Sequence, residues 1–336
     1  MAISLGDTFI HETSTYGGSS FSSHSTNTQT LNKINQQKWD YVVIQAQSQE
    51  PALSPRYVNA KVFPAAQVLI DAIERTHLCI EPLFFMTWGR KFGDASNCVS
   101  YPPVCTYLGM QERLRTRYLD MSFFHNASCS PVGMVWKESI AIDSSINLYS
   151  SDNSHPSIFG SYLAACTFYA SIFKRSAVGS SYWSNTIDSV TAYSLQQIGS
   201  SEALDNLEVW NIFNADFSYV LNNDSISFFN LSSDYESVAW DFGDGASSFV
   251  VNPTHVYNSS GSYTISLSIF TNGGCLLDTF SITVTVSPTT LINDLKTPKE
   301  LISITDILGK NSAQQKHTPL FYHFNDGTVQ KKIVIE

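Results

Sequence analysis

The fold is decided within residues 41–88, where YVVIQ (41–45) and EPLFFMTW (81–88) enclose VFPAAQVLIDAIERT (62–76). The two outer runs are short and apolar, which predicts strands buried on both faces of a sheet. The central run repeats its apolar residues at helical spacing. A strand, a helix and a second strand in this order predict a parallel pair, because parallel strands need a crossover connection.

The same alternation continues through the first half of the chain. GMQERLRTRYLDMSFFHN (109–126) predicts an amphipathic helix, SPVGMVWKESI (130–140) a strand that leads into a helix, and PSIFGSYLAACTFYASIF (156–173) a long apolar helix. We therefore expect an α/β domain with three α/β/α layers around a parallel sheet. Its active site should lie beyond the carboxyl ends of the strands, where we place the loop at residues 150–155.

From about residue 212 the pattern changes to alternating β-strands, as in SISFFNLS and YTISLSIF. The charge changes as well, because residues 176–295 carry twelve acidic and no basic residues, whereas the whole chain has a net charge of −10. We predict three parts: the α/β domain over 1–211, an all-β sandwich over 212–290, and a short β-rich segment over 291–336.

The composition excludes several functions. A net charge of −10 with no basic stripe argues against a nucleic-acid partner, and no stretch is long and apolar enough for a membrane span. None of the six cysteines has the spacing of a zinc site, so we expect no metal and no cofactor. Cys98 and Cys105 bracket a Pro-rich loop that a disulfide could close, which fits an oxidising compartment, whereas Cys166 is expected to be a small buried residue.

The stretch SSDNSHPSIFGS (150–161) carries the candidate catalytic residues. In one interpretation it is a solvated turn, in which Asp152 caps the structure that follows. In the other, Asp152 orients His155 as a general base, since a neutral imidazole needs a partner on its second nitrogen to fix its tautomer.

Residues 1–211 resemble the SGNH (GDSL-like) hydrolases, and more closely a branch of secreted proteins from Bacteroidetes-type bacteria. The D-x-x-H block of that family completes a serine triad, and the resemblance implies that Asp152 is its acid and His155 its base.

The resemblance also implies an oxyanion hole, the set of donors that binds the negative charge of the transition state. STYGGSSFSSHSTN matches the glycine block of the family, so the backbone of Gly17 or Gly18 would be one donor. WDYVVIQAQSQEP occupies the block that usually carries G-x-N-D, with Gln47 and Gln49 at about the Gly and Asn positions. Which of these two glutamines or Gln45 would donate stays open.

Two residues after the second predicted strand are candidates for the substrate cleft. MTWGRK ends that strand at the active-site face, so Trp88 and Arg90 could line the cleft, and Arg90 could equally serve as a structural ion-pair partner.

The front of the chain departs from the family. LGDTF imitates the nucleophile block, with Thr8 in the serine position, but only five residues precede Gly6 and no helix fits between Thr8 and Gly17. We interpret residues 7–12 as the family's second strand and expect the nucleophile block to be missing from this chain. The beginning also lacks the basic and apolar regions of a signal peptide, which indicates a mature or truncated chain.

The β part resembles two further families. VAWDFGDGASSFVVNPTHVYNSSGSYTISLSI matches the PKD domain, an immunoglobulin-like sandwich, which implies a spacer or a polysaccharide- or protein-binding module. Trp240 and Tyr257 should lie in its core, and Asp241 and Asp244 should hold its turn. LISITDILGK and PLFYHFNDGTVQKKIVIE resemble the end of a type IX secretion sorting domain, although a third small β unit is the alternative.

Together these features predict a secreted or cell-surface esterase of a Gram-negative, Bacteroidetes-type bacterium, exported by the type IX secretion machinery. Its substrate would be an acylated carbohydrate or another small ester. The alternative is a non-catalytic surface or adhesion protein that binds glycan; the Gln47–Gln49 block favours this alternative and the Asp152–His155 pair favours the enzyme.

Overall fold

A computed structural model describes residues 1–222, 225–286, 300–313, 318–325 and 327–333. The chain forms two compact units, Met1–Ser287 and Pro288–Glu336. The first contains the α/β part and the β-sandwich.

The α/β part is built on a parallel sheet of three strands: β1 (Tyr41–Ile44), β2 (Glu81–Phe85) and β3 (Ser128–Ser130). β2 lies in the middle, with Val43 opposite Leu83 on one side and Phe85 opposite Ser130 on the other. The expectation that β1 is buried on both faces is wrong. Val43 exposes 44% of its surface, whereas Ile44, whose side chain points to the opposite face, exposes 6%, so only one face is well covered at this end of β1. In the described part of the chain β1 pairs only with β2 and is an edge strand.

Helices cover both faces of this sheet. Phe84 packs into one core and Phe85 against the other, because successive side chains of a strand point to opposite faces. The first core includes residues of α1, α2, α4 and α6, and the second includes residues of α7, α8 and α9. The helices are α1 (Phe21–Thr26), α2 (Thr28–Ile34), α3 (Pro55–Tyr57), α4 (Phe63–Thr76), α5 (Ala95–Cys98), α6 (Tyr107–Phe124), α7 (Val132–Ile142), α8 (Ile158–Phe173) and α9 (Ser189–Leu204).

The start of α8 is fixed directly after the candidate catalytic loop. The Ser157 hydroxyl accepts hydrogen bonds from the backbone N–H groups of Phe159 and Gly160, which caps the helix. Gly160 allows the helix to approach α7 closely, because a Cβ at this position would lie 2.5 Å from the Trp136 ring. Both contacts fix the chain immediately beyond His155.

The expectation of a second strand over residues 7–12 is wrong. The structure has a short 3₁₀ helix at Ala2–Leu5 and no strand between residues 7 and 12. Phe9 and Ile10 are exposed there, at 53% and 86%. A strand needs a neighbouring strand for its backbone hydrogen bonds, and within the described residues no strand pairs with this segment.

The β-sandwich has two antiparallel sheets, in the orders β4-β5-β8 and β10-β9-β6-β7. Trp240 and Tyr257 are each 1% exposed in its core, as predicted. Its strands are β4 (Phe217–Asn222), β5 (Ser225–Asn230), β6 (Ser237–Asp241), β7 (Ser247–Ser248), β8 (Thr254–Val256), β9 (Gly261–Phe270) and β10 (Leu276–Val286).

The predicted aspartates hold the turn of the sandwich. Asp241 accepts a hydrogen bond from the Gly243 amide (2.9 Å), and Asp244 accepts one from the Ala246 amide (3.0 Å). The second carboxylate oxygen of Asp244 lies 2.7 Å from Nε2 of His255. The turn is therefore tied to β8 as well as to its own backbone.

The sandwich is joined to the α/β part by more than the connecting chain. A disulfide links Cys79, just before β2, to Cys275, just before β10. The Lys174 ammonium at the end of α8 lies 2.8 Å from Asp278, which also accepts a hydrogen bond from the Ala215 amide (2.7 Å). The disulfide and the ion pair hold the two parts together within one compact unit.

The second unit contains one described antiparallel sheet in the order β11-β12-β13. Its strands are β11 (Leu301–Thr305), β12 (Pro319–Phe324) and β13 (Val329–Ile333). The segment is β-rich, as its sequence indicates.

Glu81 should make the stability of the α/β part depend on pH. Its carboxylate accepts hydrogen bonds from the Ser128 hydroxyl (2.7 Å) and amide (3.1 Å), yet burial raises the pKa of Glu81 to about 7. The folded protein then binds more protons than the unfolded chain, so the free energy of unfolding should fall as the pH rises from about 4 to 7. In Glu81→Gln this fall should be smaller, as measured by urea unfolding at pH 5 and pH 8. Glu74→Gln, at an exposed position on α4, should behave like the wild type; an unchanged pH dependence in Glu81→Gln would contradict the assignment.

The Cys79–Cys275 disulfide should contribute strongly to stability. It closes a loop of 196 residues, whereas the Cys98–Cys105 disulfide closes one of only 7. Replacing both cysteines of the long loop by serine should lower the free energy of unfolding by about 2–5 kcal/mol, because the longer loop restricts the unfolded chain more. Guanidinium unfolding measures this loss. The Cys98→Ser/Cys105→Ser variant is the matched control and should lose about half as much; equal losses would show that loop closure is not the cause.

Candidate active site

The structure brings Asp152 and His155 into direct contact. One carboxylate oxygen of Asp152 pairs with Nδ1 of His155. The other accepts hydrogen bonds from the Ser150 hydroxyl (2.8 Å) and from the backbone amides of Ser154 and His155 (both 2.9 Å). The hydrogen bond from the His155 ring, followed by those from the backbone amides and Ser150, holds the pKa of Asp152 well below its ordinary value. Asp152 therefore remains a carboxylate, the form that can orient an imidazole.

The second ring nitrogen of His155 faces solvent. The side chain of His155 is 80% exposed and that of Asp152 48%. Among the described residues, Nε2 of His155 has no hydrogen-bond partner. With a proton on Nδ1 shared with Asp152, Nε2 is the lone-pair nitrogen and can accept a proton, which is the arrangement of a general base.

The loop that carries this pair lies at the carboxyl edge of the sheet. The indole N–H of Trp88 donates to the carbonyl of Ser154 (2.9 Å), and the amide of Lys91 donates to the carbonyl of Asn153 (3.0 Å). The Tyr149 hydroxyl donates to the carbonyl of Gly89 (2.6 Å). Residues 88–91 follow β2 directly, so these bonds place Asp152 and His155 beyond the carboxyl end of the central strand.

Trp88 and Arg90 have structural contacts in this region. The Trp88 ring stacks on Trp136 with a centroid distance of 4.0 Å and an interplanar angle of 6°. A guanidinium nitrogen of Arg90 lies 3.8 Å from Asp94, and the Arg90 side chain is 31% exposed. Arg90 is therefore an ion-pair partner, and it keeps a partly accessible surface.

The side-chain amides of Gln47 and Gln49 are engaged with protein groups. The side-chain oxygen of Gln47 accepts a hydrogen bond from the backbone N–H of Gln49 (2.8 Å). The side-chain nitrogen of Gln47 donates to the side-chain oxygen of Gln49 (3.3 Å). Gln49 donates in turn to Asp94 (2.8 Å), whereas Gln45 is exposed. The two glutamines thus link the loop after β1 to the loop after β2. To donate to an oxyanion, one of them would have to break its present hydrogen bond.

Asp94 is the residue of this region that the motifs did not reveal. Its side chain is 1% exposed and accepts hydrogen bonds from Gln49 and from the Asn97 side chain (2.7 Å). Burial opposes its ionisation, but these hydrogen bonds and the charge of Arg90 outweigh burial and lower the pKa of the carboxyl. The available signal was the DASN sequence (94–97), in which an aspartate caps the short helix α5.

The loop beyond Asp94 is closed covalently. Cys98 and Cys105 form a disulfide bond, and Cys129 and Cys166 are free and buried.

The sequence also did not predict the roles of Tyr149 and Ser150, because a lone tyrosine or serine has no distinctive spacing. Tyr149 donates a hydrogen bond to the Gly89 carbonyl, and Ser150 donates one to the Asp152 carboxylate.

Gly17 and Gly18 form an exposed turn. The Ser19 amide donates to the carbonyl of Tyr16 (3.2 Å), and Gly18 has φ +73°, which favours glycine at this position. In the described part of the chain, no hydrogen bond joins either glycine to the loop of Asp152 and His155.

Thr8 lies far from His155. Its neighbour Asp7 accepts a hydrogen bond from the Tyr169 hydroxyl (2.7 Å) and pairs with Arg175. Tyr169 comes eleven residues after Ile158, so it lies about 16 Å along α8 from the end that His155 precedes. This separation argues against Thr8 as a nucleophile for His155.

Neither a metal centre nor a membrane helix emerges from the described residues. Within them, no group of three or more histidine, cysteine, aspartate or glutamate side chains could hold a metal ion. No helix among them is long and apolar enough to cross a membrane.

Comparison with known proteins identifies the β-sandwich. The family model for the PKD domain matches residues 223–286. The PKD1 domain of Vibrio anguillarum Epp is 34% identical, and the alignment covers 23% of this chain and 95% of that one, with a TM-score of 0.22. A microbial collagenase of Vibrio alginolyticus is 49% identical over 51 residues, which are 15% of this chain and 6% of the length of the collagenase.

The α/β part has a relative among solved structures. A DUF4886 family protein from Bacteroides uniformis aligns with a TM-score of 0.50 and 15% identity, over 62% of this chain and 87% of that one. This likeness concerns the fold. Residues 223–286 thus match the PKD domain, and they follow an α/β part that is similar in fold to the DUF4886 family protein.

Proposed function

We propose that this protein is a secreted ester hydrolase of the SGNH type, in which Asp152 and His155 are the acid and base of a serine triad. The observation that carries the proposal is the contact of Asp152 with Nδ1 of His155 at the carboxyl edge of a parallel sheet, where Nε2 has no hydrogen-bond partner among the described residues. His155 would accept the proton of a serine hydroxyl as its oxygen attacks the ester carbon, and Asp152 would stabilise the imidazolium. The imidazolium would then protonate the departing alcohol, and water would hydrolyse the acyl-enzyme.

The nucleophile has to come from outside the described contacts of His155. No serine or threonine of the described residues hydrogen-bonds Nε2 of His155. Among the described strands β1 pairs only with β2, so its other edge can accept a further parallel strand. A serine at the carboxyl end of that strand would lie at the same edge of the sheet as His155, so we propose that the nucleophile is supplied there.

The oxyanion hole would combine a backbone donor and a side-chain donor. Gly17 or Gly18 would contribute a backbone N–H, and Gln47 or Gln49 a side-chain amide. Gln49 could do so only by releasing Asp94, which its amide now contacts. Each donor would be worth about 3–4 kcal/mol of transition-state stabilisation.

An acylated carbohydrate fits the surroundings of the pair. The 80% exposure of His155 suits an ester attached to a bulky polymer, because such a substrate cannot enter a deep pocket. Phe92 is 73% exposed and follows Lys91, whose amide contacts the catalytic loop. An exposed aromatic ring at this position offers a flat apolar surface for a sugar ring.

Several features support an extracellular location. The disulfides Cys79–Cys275 and Cys98–Cys105 are typical of proteins that fold in an oxidising compartment. The PKD domain would then be a spacer or would contact a polysaccharide or a protein. Residues 291–336 would direct export to the surface or medium through type IX secretion.

A non-catalytic glycan-binding or adhesion protein is the second candidate. The hydrogen bonds from Gln47 to Gln49 and from Gln49 to Asp94 favour it, because they occupy the side-chain amides that an oxyanion hole would need. In that case the Asp152–His155 pair would close the loop before α8 and have no role in hydrolysis.

The hydrolase proposal predicts a specific dependence on His155. The protein expressed from its complete coding sequence should hydrolyse p-nitrophenyl acetate, and His155→Ala should slow it by about a thousandfold or more, because the base is lost. Residues 1–336 alone should be no faster than their own His155→Ala variant. Initial rates at pH 8 measure both, with Thr8→Ala as the control that should change nothing.

Two outcomes would contradict this account. If the complete product hydrolyses no ester in a His155-dependent manner, the binding protein is the better description. If residues 1–336 are active and Thr8→Ala abolishes the activity, LGDTF is the nucleophile block and the strand at β1 is not needed.

The sorting role of residues 291–336 is tested by deletion. Removing them should abolish delivery to the cell surface in a host with type IX secretion, because the sorting sequence would be lost. The remaining residues should stay folded, because Met1–Ser287 is a compact unit of its own. Immunoblots of the surface and periplasmic fractions measure the result, with near-ultraviolet circular dichroism as the control for folding. Continued surface delivery would show that this segment is not a sorting signal.

A further inference from the structure

The orientation of His155 needs support beyond its ion pair with Asp152. Asp152 and His155 are 48% and 80% exposed, and an ion pair exposed to solvent adds little to stability because water and salt screen it. Such a pair cannot by itself hold the imidazole in one orientation against solvent. Its geometry must therefore come from the backbone of residues 150–155 and from whatever holds that backbone.

Within the loop, the backbone is held by Asp152. The amides of Ser154 and His155 both donate to one oxygen of Asp152, and the amide of Ser150 donates to the carbonyl of His155 (2.8 Å). These bonds close the loop on itself. They do not fix it relative to the sheet.

Trp88 connects the loop to the sheet at the residue before His155. Its indole N–H donates to the Ser154 carbonyl at 2.9 Å, so the peptide that joins Ser154 to His155 is tied to the segment after β2. The Trp88 ring is held in turn by stacking on Trp136, which is fully buried on α7. The donor therefore has a fixed position.

Tyr149 completes the connection from the other end of the loop. Its ring packs edge-on against Trp136 with a centroid distance of 5.0 Å, and its hydroxyl donates to the carbonyl of Gly89 at 2.6 Å. Gly89 is the residue after Trp88. Trp88, Trp136 and Tyr149 thus form a closed set of contacts, which we call the aromatic latch.

We propose that Trp88 is a positioning residue for His155, which acts through the Ser154 carbonyl to hold the Asp152–His155 pair at the carboxyl edge of the sheet. This role rests on the proposed function for its purpose in catalysis, although the positioning itself can be measured without a substrate. It differs from lining a substrate cleft, because the polar atom of Trp88 is directed to the protein backbone.

The test compares two tryptophan variants of the full chain. Trp88→Phe keeps an aromatic ring against Trp136 and removes the N–H donor. Trp39→Phe is the matched control, since Trp39 also donates its indole N–H to a backbone carbonyl, that of Lys33 (3.1 Å), at a site outside the loop. Both variants should lose similar stability in urea, because each loses one hydrogen bond of the same kind.

The distinguishing readout is nuclear magnetic resonance of the loop. In Trp88→Phe, amide hydrogen exchange of Ser154 and His155 should be about tenfold faster, because one anchoring hydrogen bond is gone. The Nδ1–H resonance of His155 should shift or broaden in protein labelled with ¹⁵N-histidine. In Trp39→Phe both signals should match those of the wild type.

The comparison of the two variants decides whether Trp88 positions His155. A change in Trp88→Phe alone supports the proposal, whereas equal changes in both variants, or no change in either, overturn it. If Trp88→Phe does not fold, Trp88→Leu keeps an apolar side chain and also lacks the N–H donor to the Ser154 carbonyl, and the same readout decides in the same way. Because no substrate is needed, failure of the hydrolase proposal would appear in the ester assay and leave this result unaffected.

Discussion

The position of β2 in the middle of the parallel ladder determines where every functional feature lies. Its hydrogen bonds to β1 and β3 align the carboxyl ends of all three strands, so the loops that follow them meet at one edge. At that edge the segment after β2 holds the loop of Asp152 and His155 through Trp88 and Lys91. At the opposite end Cys79 and Glu81 face the junction with the sandwich. A shift of β2 by one residue would exchange Phe84 and Phe85 between the two cores and displace both ends together.

The sequence was informative wherever a local pattern specifies a local structure. Periodicity located the helices at 107–124 and 158–173. The D-x-x-H spacing indicated the contact of Asp152 with His155, because two residues three positions apart can meet across a single turn. The W-D-F-G-D-G turn of the sandwich was identified for the same reason. In these cases the partners lie a few residues apart, so the chain itself fixes their distance.

Contacts between residues far apart in the chain could not be predicted. The Cys79–Cys275 bond joins residues 196 positions apart, and neither cysteine has a spacing that reveals the other. Asp94 and Tyr149 escaped notice because their importance comes from partners in other loops. The prediction of a strand over residues 7–12 was wrong for a related reason. An extended segment becomes a strand only if another strand lies beside it, and the neighbours of a strand depend on the whole sheet.

The junction also determines what the PKD domain can do for the site. Cys79 precedes the amino end of β2, and Lys174 ends α8, whereas His155 precedes its beginning. The sandwich is therefore attached at the side of the α/β part away from the loop of Asp152 and His155, and the disulfide and the Lys174–Asp278 ion pair oppose any hinge between them. A sandwich held in this way cannot act as a lid over His155. In the hydrolase proposed above, the sandwich would instead hold the α/β part at a fixed orientation, and the exposed Asp152–His155 pair would stay accessible on the far side.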